Sequence, residues 1–285
     1  MSEPRSFKQE LVGVFGFPVA ENPTQAMIEP AFDALGLAWR YLTVEVRPER
    51  LAEAVQGARA MGWRGFNCTI PHKVAVIPHL DGLSPAAEKI GAVNCVVARD
   101  GRWIGDNTDG KGFVESVRAV RAIDRLKAVI LGAGGAARAI GVELALAGAS
   151  SITVVNRSAE RGATLARDIQ AKTGIPAEFV LWEGTYPIPP DADLIVNATS
   201  IGLFPDVSAC PSIDFGTLSP RLLVCDVIPN PPKTPFLRLA ERQGCRTLDG
   251  LGMLVNQGVI GIKLWTGLDP DPEVMRKSLE MVFAT

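Results

Sequence analysis

Lys127-Ala128-Val129-Ile130-Leu131-Gly132-Ala133-Gly134-Gly135-Ala136-Ala137-Arg138-Ala139 decides the architecture of this chain. Four apolar residues in succession after Lys127 read as a short buried strand. The turn that follows has the form Gly132-x-Gly134-x-x-Ala137. Gly132 permits a tight turn, Gly134 lets the backbone approach a pyrophosphate, and the small Ala137 lets a helix pack closely on the strand. The amides of Ala133, Gly135 and Ala136 complete a loop that opens a helix N-terminus toward an anion. Such a loop is weak in isolation, so its surroundings matter. A helix runs on to about Ala147 and stops near Gly148, and a second strand spans 151–155. A helix over 159–172 and strands near 179–181, 194–196 and 222–227 follow. Strand and helix alternate as in a doubly wound, Rossmann-type dinucleotide-binding domain.

The end of the second strand selects the nucleotide. An NAD site places a carboxylate there for the ribose hydroxyls. This chain has Asn156-Arg157-Ser158 and then Arg161. Two guanidiniums and no acid suit a 2′-phosphate, which arginine grips bidentately. The alternative is that both arginines are solvated charges at a helix start. Basic side chains at a helix N-terminus oppose the macrodipole, which argues for an anion beside them. NADP is the expected cofactor.

The 100 residues before this domain also alternate. Strands are expected over 11–17, 39–44, 65–68, 93–98 and 102–104, with a helix over 48–61. That alternation implies an α/β layer with parallel strands. Pro30 interrupts an otherwise helical 24–35, so the helix either kinks there or has its regular part begin at Pro30. Two helices, 251–265 and 271–283, come after the last Rossmann-type strand. The division expected is a substrate-binding domain over 1–106, an NADP-binding domain over 107–249, and C-terminal helices over 250–285 that return to the first domain.

Composition fits this reading. The chain has 285 residues, 47% of them hydrophobic and 21% charged, which is enough to bury cores and is a poor fit to disorder or coiled coil. Twenty-nine Lys and Arg against 31 Asp and Glu leave a formal charge of −2, without the basic excess of a nucleic-acid binder. No uncharged apolar run reaches the roughly 18–20 residues that span a bilayer, and the first residues lack a signal-peptide core. A cytoplasmic location, no nucleic-acid partner and no membrane partner are expected. Five cysteines do not suggest a disulfide framework, and Cys68, Cys95 and Cys225 read as small buried apolar residues. Only His72 and His79 are present, and no Cys or His pair has zinc spacing, so no metal is expected.

Oxidising an alcohol with a nicotinamide requires a group that exchanges the hydroxyl proton. A partly buried lysine positioned by a carboxylate meets that need. Asn67-Cys68-Thr69-Ile70-Pro71-His72-Lys73 and Asp106-Asn107-Thr108-Asp109 supply candidates. By spacing alone, Lys73 reads equally as a surface lysine and Asp109 as a helix cap.

At these residues the chain resembles the shikimate dehydrogenase family along nearly its whole length. Gly65-Phe66-Asn67-Cys68-Thr69-Ile70-Pro71-His72-Lys73 is similar to that family's G-x-N-V-T-x-P-x-K, and Gly91-Ala92-Val93-Asn94 to its G-A-V-N. Asp106-Asn107-Thr108-Asp109-Gly110, the cofactor loop, Asn156-Arg157-Ser158 and Asn197-Ala198-Thr199-Ser200-x-Gly202 also fit, as does Asp249-Gly250-Leu251-Gly252-Met253-Leu254-x-x-Gln257. The resemblance implies that Lys73 is the general acid/base and Asp109 its partner. Thr69, Asn94 and Gln257 would complete a polar ring around the substrate. Thr199 would join the cofactor site, and Gly250 and Met253 would lie near the nicotinamide.

Two departures stand out. The family binds the substrate carboxylate with Ser-x-Ser, where this chain has Asn22-Pro23-Thr24. The family's D-x-x-Y-x-P here reads Asp226-Val227-Ile228-Pro229-Asn230-Pro231, with proline in place of a tyrosine donor. Losing a charge-assisted hydrogen bond costs roughly 1.5–3 kcal/mol. The reading is therefore NADP-dependent oxidation of shikimate to 3-dehydroshikimate. The alternatives are a dehydrogenase for an analogue such as quinate or aminoshikimate, or an NADP-binding regulator without catalysis. The partner is a small-molecule substrate, and the protein is expected as a monomer or homodimer.

Overall fold

The computed structural model describes residues 7–283, and the chain divides into two compact units. Residues up to Thr108 together with Gly258 onward make the first, and Asp109–Gln257 the second.

The first unit is built on β1 (Glu10–Gly16), α1 (Thr24–Ala34), β2 (Trp39–Glu45), α2 (Leu51–Ala60), β3 (Gly65–Cys68), α3 (His72–Ala75), β4 (Gly82–Leu83), α4 (Pro85–Ile90), β5 (Cys95–Arg99) and β6 (Arg102–Asp106). Its six-stranded sheet runs β2-β1-β3-β5-β6-β4. The expectation of a parallel sheet holds only for part of it. β1 pairs in parallel with β2 and β3, but β5 runs antiparallel to both β3 and β6. The reason is local: Asp100-Gly101 joins β5 to β6 with both residues at positive φ, a tight hairpin that reverses the chain without a crossover helix. Phe15, Phe66 and Trp103 stack in the core between this sheet and α2, where Leu51, Val55 and Ala58 are buried. The expected helix over 48–61 is a single 3₁₀ turn leading into α2.

Helix α1 runs from Thr24 straight through Pro30, so its regular part does not begin at the proline. Met27, Ile28, Ala31 and Phe32 are all at most 1% exposed. Burying side chains of that size contributes roughly 1.5–3 kcal/mol each, enough to offset the hydrogen bond that Pro30 removes.

The second unit starts with α5 (Thr108–Arg118) and alternates β7 (Lys127–Leu131), α6 (Gly135–Leu146), β8 (Ser151–Asn156), α7 (Ala159–Thr173), β9 (Ala177–Leu181), the short β10 (Tyr186–Pro187), β11 (Leu194–Asn197), β12 (Ile213–Asp214), β13 (Leu223–Asp226), α8 (Pro235–Arg242) and β14 (Arg246–Leu248). Its main sheet has the order β14-β13-β11-β7-β8-β9, and every pair in it is parallel. Parallel strands covered on both faces are apolar throughout, and β7, β11 and β13 are buried along nearly their whole length. Helix α8 and strand β14 lie beyond the elements expected from the sequence, where a three-residue strand leaves no periodic signal.

Helix α9 (Gly250–Thr266) begins in the second unit, and its residues from Gly258 on belong to the first. Within the first unit, α10 (Pro272–Phe283) packs on α1, and Trp265 Nε1 donates to the Val96 carbonyl at 3.0 Å. Among the described residues no helix is long and apolar enough to cross a membrane, and no group of three or more His, Cys, Asp or Glu could hold a metal.

Candidate active site

The cofactor side of the site lies wholly in the second unit. Gly132 leaves β7 at φ 107°, where a side chain is strained, and a Cβ there would sit 3.0 Å from the Ala198 carbonyl. Helix α6 then starts at Gly135 with Gly134 as an N-cap that has no side chain to bond the first amides, and its first turn has no acidic residue. The helix start borders open space, since a Cβ at Gly134 or Gly135 would meet nothing within 4 Å. An uncapped helix start facing a void is an anion cradle.

Gly132, Ala133, Gly134, Asn156, Arg157, Arg161 and Thr199 line one cavity of about 240 Å³. Arg157 and Arg161 are exposed, and among the described residues neither has a carboxylate partner. Gly135 and Ala136 continue the helix start next to it. Ser158 serves as the N-cap of α7, accepting from the Arg161 amide at 3.4 Å, and its carbonyl accepts from Asn156 Nδ2 at 2.9 Å. That arrangement fixes where both arginines leave the strand end.

Trp182 also lines this cavity, and the sequence reading missed it. It follows β9, the strand beside β8, so the parallel order that sends Arg157 to this edge sends Trp182 there too. Its amide donates to the Asn156 carbonyl and its Nε1 to the Ser212 carbonyl, both at 3.0 Å. Ala198, Ser200 and Ile201 join it from the loop after β11.

That loop is held by a buried carboxylate that the sequence reading also left without a role. Thr199 Oγ1 donates to Asn197 Oδ1 at 2.6 Å and accepts from the Ile201 amide at 3.0 Å. Asn197 Nδ2 donates to the Ile201 carbonyl and to Asp226 Oδ1, each at 3.1 Å. Asp226 further accepts from Thr234 Oγ1 at 2.8 Å and from the Ile228 amide at 3.1 Å. Burial pushes its carboxyl up to about 6 against the pull of these donors. Asp226 thus ties the cofactor loop to the segment that carries Pro229.

Asp109 is the second residue of α5, and Gln257 is buried on α9. These two helices meet closely. A Cβ at Gly112 would lie 2.7 Å from both the Gln257 amide and the Met253 carbonyl, and Asn256 Nδ2 donates to Ser116 Oγ at 3.0 Å. Met253 therefore lies on the turn of α9 that packs against α5. Gly250 opens α9 so near the second loop that a Cβ would be 2.4 Å from the Ile228 carbonyl. As the helical spacing suggests, Leu251, Val255 and Ile262 are buried.

Of the residues expected at the substrate, Asn22, Thr24, Thr69 and Asn94 sit in the first unit, as does Lys73. Lys73 is half-buried on α3, whose start is pinned by His72 Nε2 donating to the Val46 carbonyl at 2.7 Å. Thr69 is half-buried between β3 and α3. Asn94 is 3% exposed, its Oδ1 accepting from the Thr108 amide at 2.7 Å and its Nδ2 donating to Thr108 Oγ1 at 3.0 Å. A polar relay links it to the opening of α1. Asn67 Nδ2 donates to the Asn94 carbonyl at 2.9 Å, and the Tyr41 hydroxyl donates to Asn67 Oδ1 at 2.7 Å. Thr24, 6% exposed at the start of α1, lies beside the Tyr41 hydroxyl. Asn22 Oδ1 accepts from the Thr24 amide at 3.0 Å. Asn22 and Thr24 are therefore tied together through the Asn22 oxygen, with the Asn22 Nδ2 and the Thr24 hydroxyl left over.

The cysteines are all free, and four of the five are buried. Burial holds the Cys68 thiol up at about 12 and raises Cys225 as well, so neither is a thiolate nucleophile.

Residues 14–96 match the shikimate dehydrogenase substrate binding domain, 116–201 match shikimate / quinate 5-dehydrogenase, and 250–280 match the shikimate 5'-dehydrogenase C-terminal domain. A shikimate dehydrogenase (NADP(+)) of Desulforamulus reducens is 43% identical over 278 residues, covering 95% of each chain. The crystal structure of a ligand-free 5-ketofructose reductase of Gluconobacter sp. strain CHM43 is 52% identical, with a TM-score of 0.95 over 98% of this chain and 100% of that one. A shikimate 5-dehydrogenase from Thermus thermophilus, solved with NADP(H) and shikimate, is 36% identical at a TM-score of 0.82, covering 96% and 99%.

Proposed function

The chain belongs to the shikimate dehydrogenase family, and from that premise we propose that it is an NADP-dependent oxidoreductase that interconverts a secondary alcohol and a ketone. Its curated relatives are named as shikimate dehydrogenases using NADP(+), and on this chain that reaction is the oxidation of shikimate to 3-dehydroshikimate. The single observation that supports the cofactor most strongly is the pair Arg157 and Arg161, without a carboxylate partner among the described residues, beside an uncapped helix start. The α6 amides bind the pyrophosphate and the two guanidiniums bind the 2′-phosphate. NADP supplies the hydride acceptor. Lys73 takes the hydroxyl proton as the alcohol is oxidised and returns it in the reverse direction, with Asp109 orienting the ammonium. Thr69, Asn94 and Gln257 bind substrate hydroxyls, while Gly250 and Met253 border the nicotinamide.

A specific observation favours a second substrate, 5-ketofructose, reduced with NADPH. The neighbour of that name is 52% identical, and the chemistry at the start of α1 agrees with it. A carboxylate needs donors. The start of α1 offers a carboxylate only Nδ2 of Asn22, whose oxygen is held by the Thr24 amide, and the single Thr24 hydroxyl, while Pro229 has no donor at all. A keto sugar has no carboxylate, and its hydroxyls donate readily to the lone pairs that Thr24 presents. On this reading Lys73 protonates the oxygen that hydride attack turns into an alkoxide.

The test is the change in reduced-nicotinamide absorbance with purified protein. Shikimate and quinate are offered with NADP⁺ and 5-ketofructose with NADPH, each beside an NAD(H) control. A kcat/KM dominated by shikimate supports the first substrate, and one dominated by 5-ketofructose the second. Bound NADP with no turnover of any of them contradicts both and favours a regulator.

A further inference from the structure

The strands of the second unit's main sheet all run the same way, so the segments that enter them gather at the edge opposite the cofactor loop. At that edge three arginines from separate parts of the chain line one cavity of about 320 Å³. Arg121 follows α5, Arg221 lies two residues before β13, and Arg246 is the first residue of β14.

Each guanidinium is held mainly by main-chain oxygens. Arg121 Nη1 donates to the carbonyls of Asp193 at 2.9 Å and Arg221 at 2.8 Å. Arg246 Nη1 donates to the Val120 carbonyl at 3.0 Å, and Arg221 Nη2 to the Pro190 carbonyl at 2.5 Å. A carbonyl orients a guanidinium but leaves its charge uncompensated. The one carboxylate paired with any of the three, among the described residues, is Asp193, at 2.6 Å from Arg121 Nη2. Asp191 is nearby and feels Arg221, but its ion-pair partner is Lys127 at 2.7 Å. An arginine has five N–H donors, and Arg221 and Arg246 each commit one to the protein. The result is a concave surface with excess positive charge, fixed guanidinium positions and unspent donors. Its volume falls at the lower end of small-ligand pockets, roughly 300–1,000 Å³.

We propose that the cavity formed by Arg121, Arg221 and Arg246 is a second ligand site, specific for a compact oxyanion with two or more negative charges. Phosphates and polycarboxylates share that chemistry, and planar guanidiniums bind both bidentately. The site lies at the far edge of the sheet from Arg157 and Arg161 and is independent of which alcohol the enzyme oxidises.

Isothermal titration calorimetry on the full chain, saturated with NADP so that Arg157 and Arg161 are occupied, tests this with pyrophosphate in one arm and citrate in the other. The expected result is saturable binding in at least one arm, with Kd below about 1 mM. Binding in the pyrophosphate arm alone identifies a phosphate ligand, and in the citrate arm alone a carboxylate one. Arg221→Gln with Arg246→Gln should weaken it at least ~10-fold, one lost charge-assisted contact being worth that much. Melting temperature and NADP affinity should stay unchanged. Arg246→Glu alone, an exposed change with one backbone contact at stake, should abolish binding if the double variant is unstable. No saturable binding in either arm, or binding that survives both variants, overturns the proposal.

Discussion

At the scale of single residues, small chemical differences decide which molecule this site accepts. Restoring Asn22→Ser and Thr24→Ser supplies a shorter pair of hydroxyls at the start of α1. If the natural substrate lacks a carboxylate, that double variant should raise kcat/KM for shikimate at least ~10-fold, the effect of one regained charge-assisted contact. A fall in shikimate turnover would mean that Asn22 and Thr24 already serve a carboxylate. On the cofactor side, Arg157→Ala with Arg161→Ala removes both unpaired guanidiniums. NADP affinity, measured by fluorescence titration, should drop by about 10- to 150-fold or more, with NAD affinity nearly unchanged. Equal losses for both cofactors would contradict the 2′-phosphate assignment. Asp226 gives a pH signature. Its carboxyl titrates near 6 in the fold and at its ordinary 3.8 when unfolded. The folded state therefore holds the proton more tightly. The stability this group contributes is full below pH 3.8 and is lost as pH rises through 6, on the order of 3 kcal/mol. Chemical denaturation of the wild type and Asp226→Asn at pH 4 and pH 8 should show the wild type's relative stability falling by about that amount. A gap that does not move with pH would contradict the raised value.

At the scale of elements, what the chain revealed in advance depended on how much periodic signal each piece carries. β7, whose bounds are those expected, is five residues of apolar strand ended by Gly132, and α6 starts where the glycines stop. β14 has three residues, and β4, β10 and β12 two each, too short for any pattern. The antiparallel turn of β5 into β6 hides in Asp100-Gly101, a two-residue signal overlooked beside the stronger strand–helix alternation. Trp182 and Asp226 were missed for a different reason. Trp182 belongs to no spaced motif, and Asp226, although it is the acid of the D-x-x-Y-x-P segment, takes its place from strand order, which brings the ends of β9 and β13 to the cofactor edge. The contact of α5 with α9 is likewise invisible in sequence beyond a glycine at 112. Gly112→Ala forces a Cβ against backbone on α9, and overpacking of this kind costs roughly 1–3 kcal/mol. A melting temperature lower by about 2–10 °C should accompany a raised KM, because Gln257 shifts with its helix. An unchanged melting temperature would mean that the two helices separate without cost.

At the scale of the whole molecule, the residues of the proposed function come from both units. Lys73 belongs to the first, while Asp109, Gln257 and the cofactor loop belong to the second. The motifs around these residues were legible because each combines a strand end with a reactive side chain, such as Asn67 to Lys73. What was not legible is the relay from Tyr41 through Asn67 to Asn94, which joins residues distant in sequence. On the proposed function, NADP-linked hydride transfer depends on proton exchange at Lys73. It is tested most directly by single-turnover rates for Lys73→Ala, using whichever substrate the wild type prefers, beside NADP titration of the same preparation. The account predicts NADP affinity within about 2-fold of wild type and a rate lower by roughly 10²–10⁴. A variant that binds NADP and turns over at the wild-type rate would contradict it.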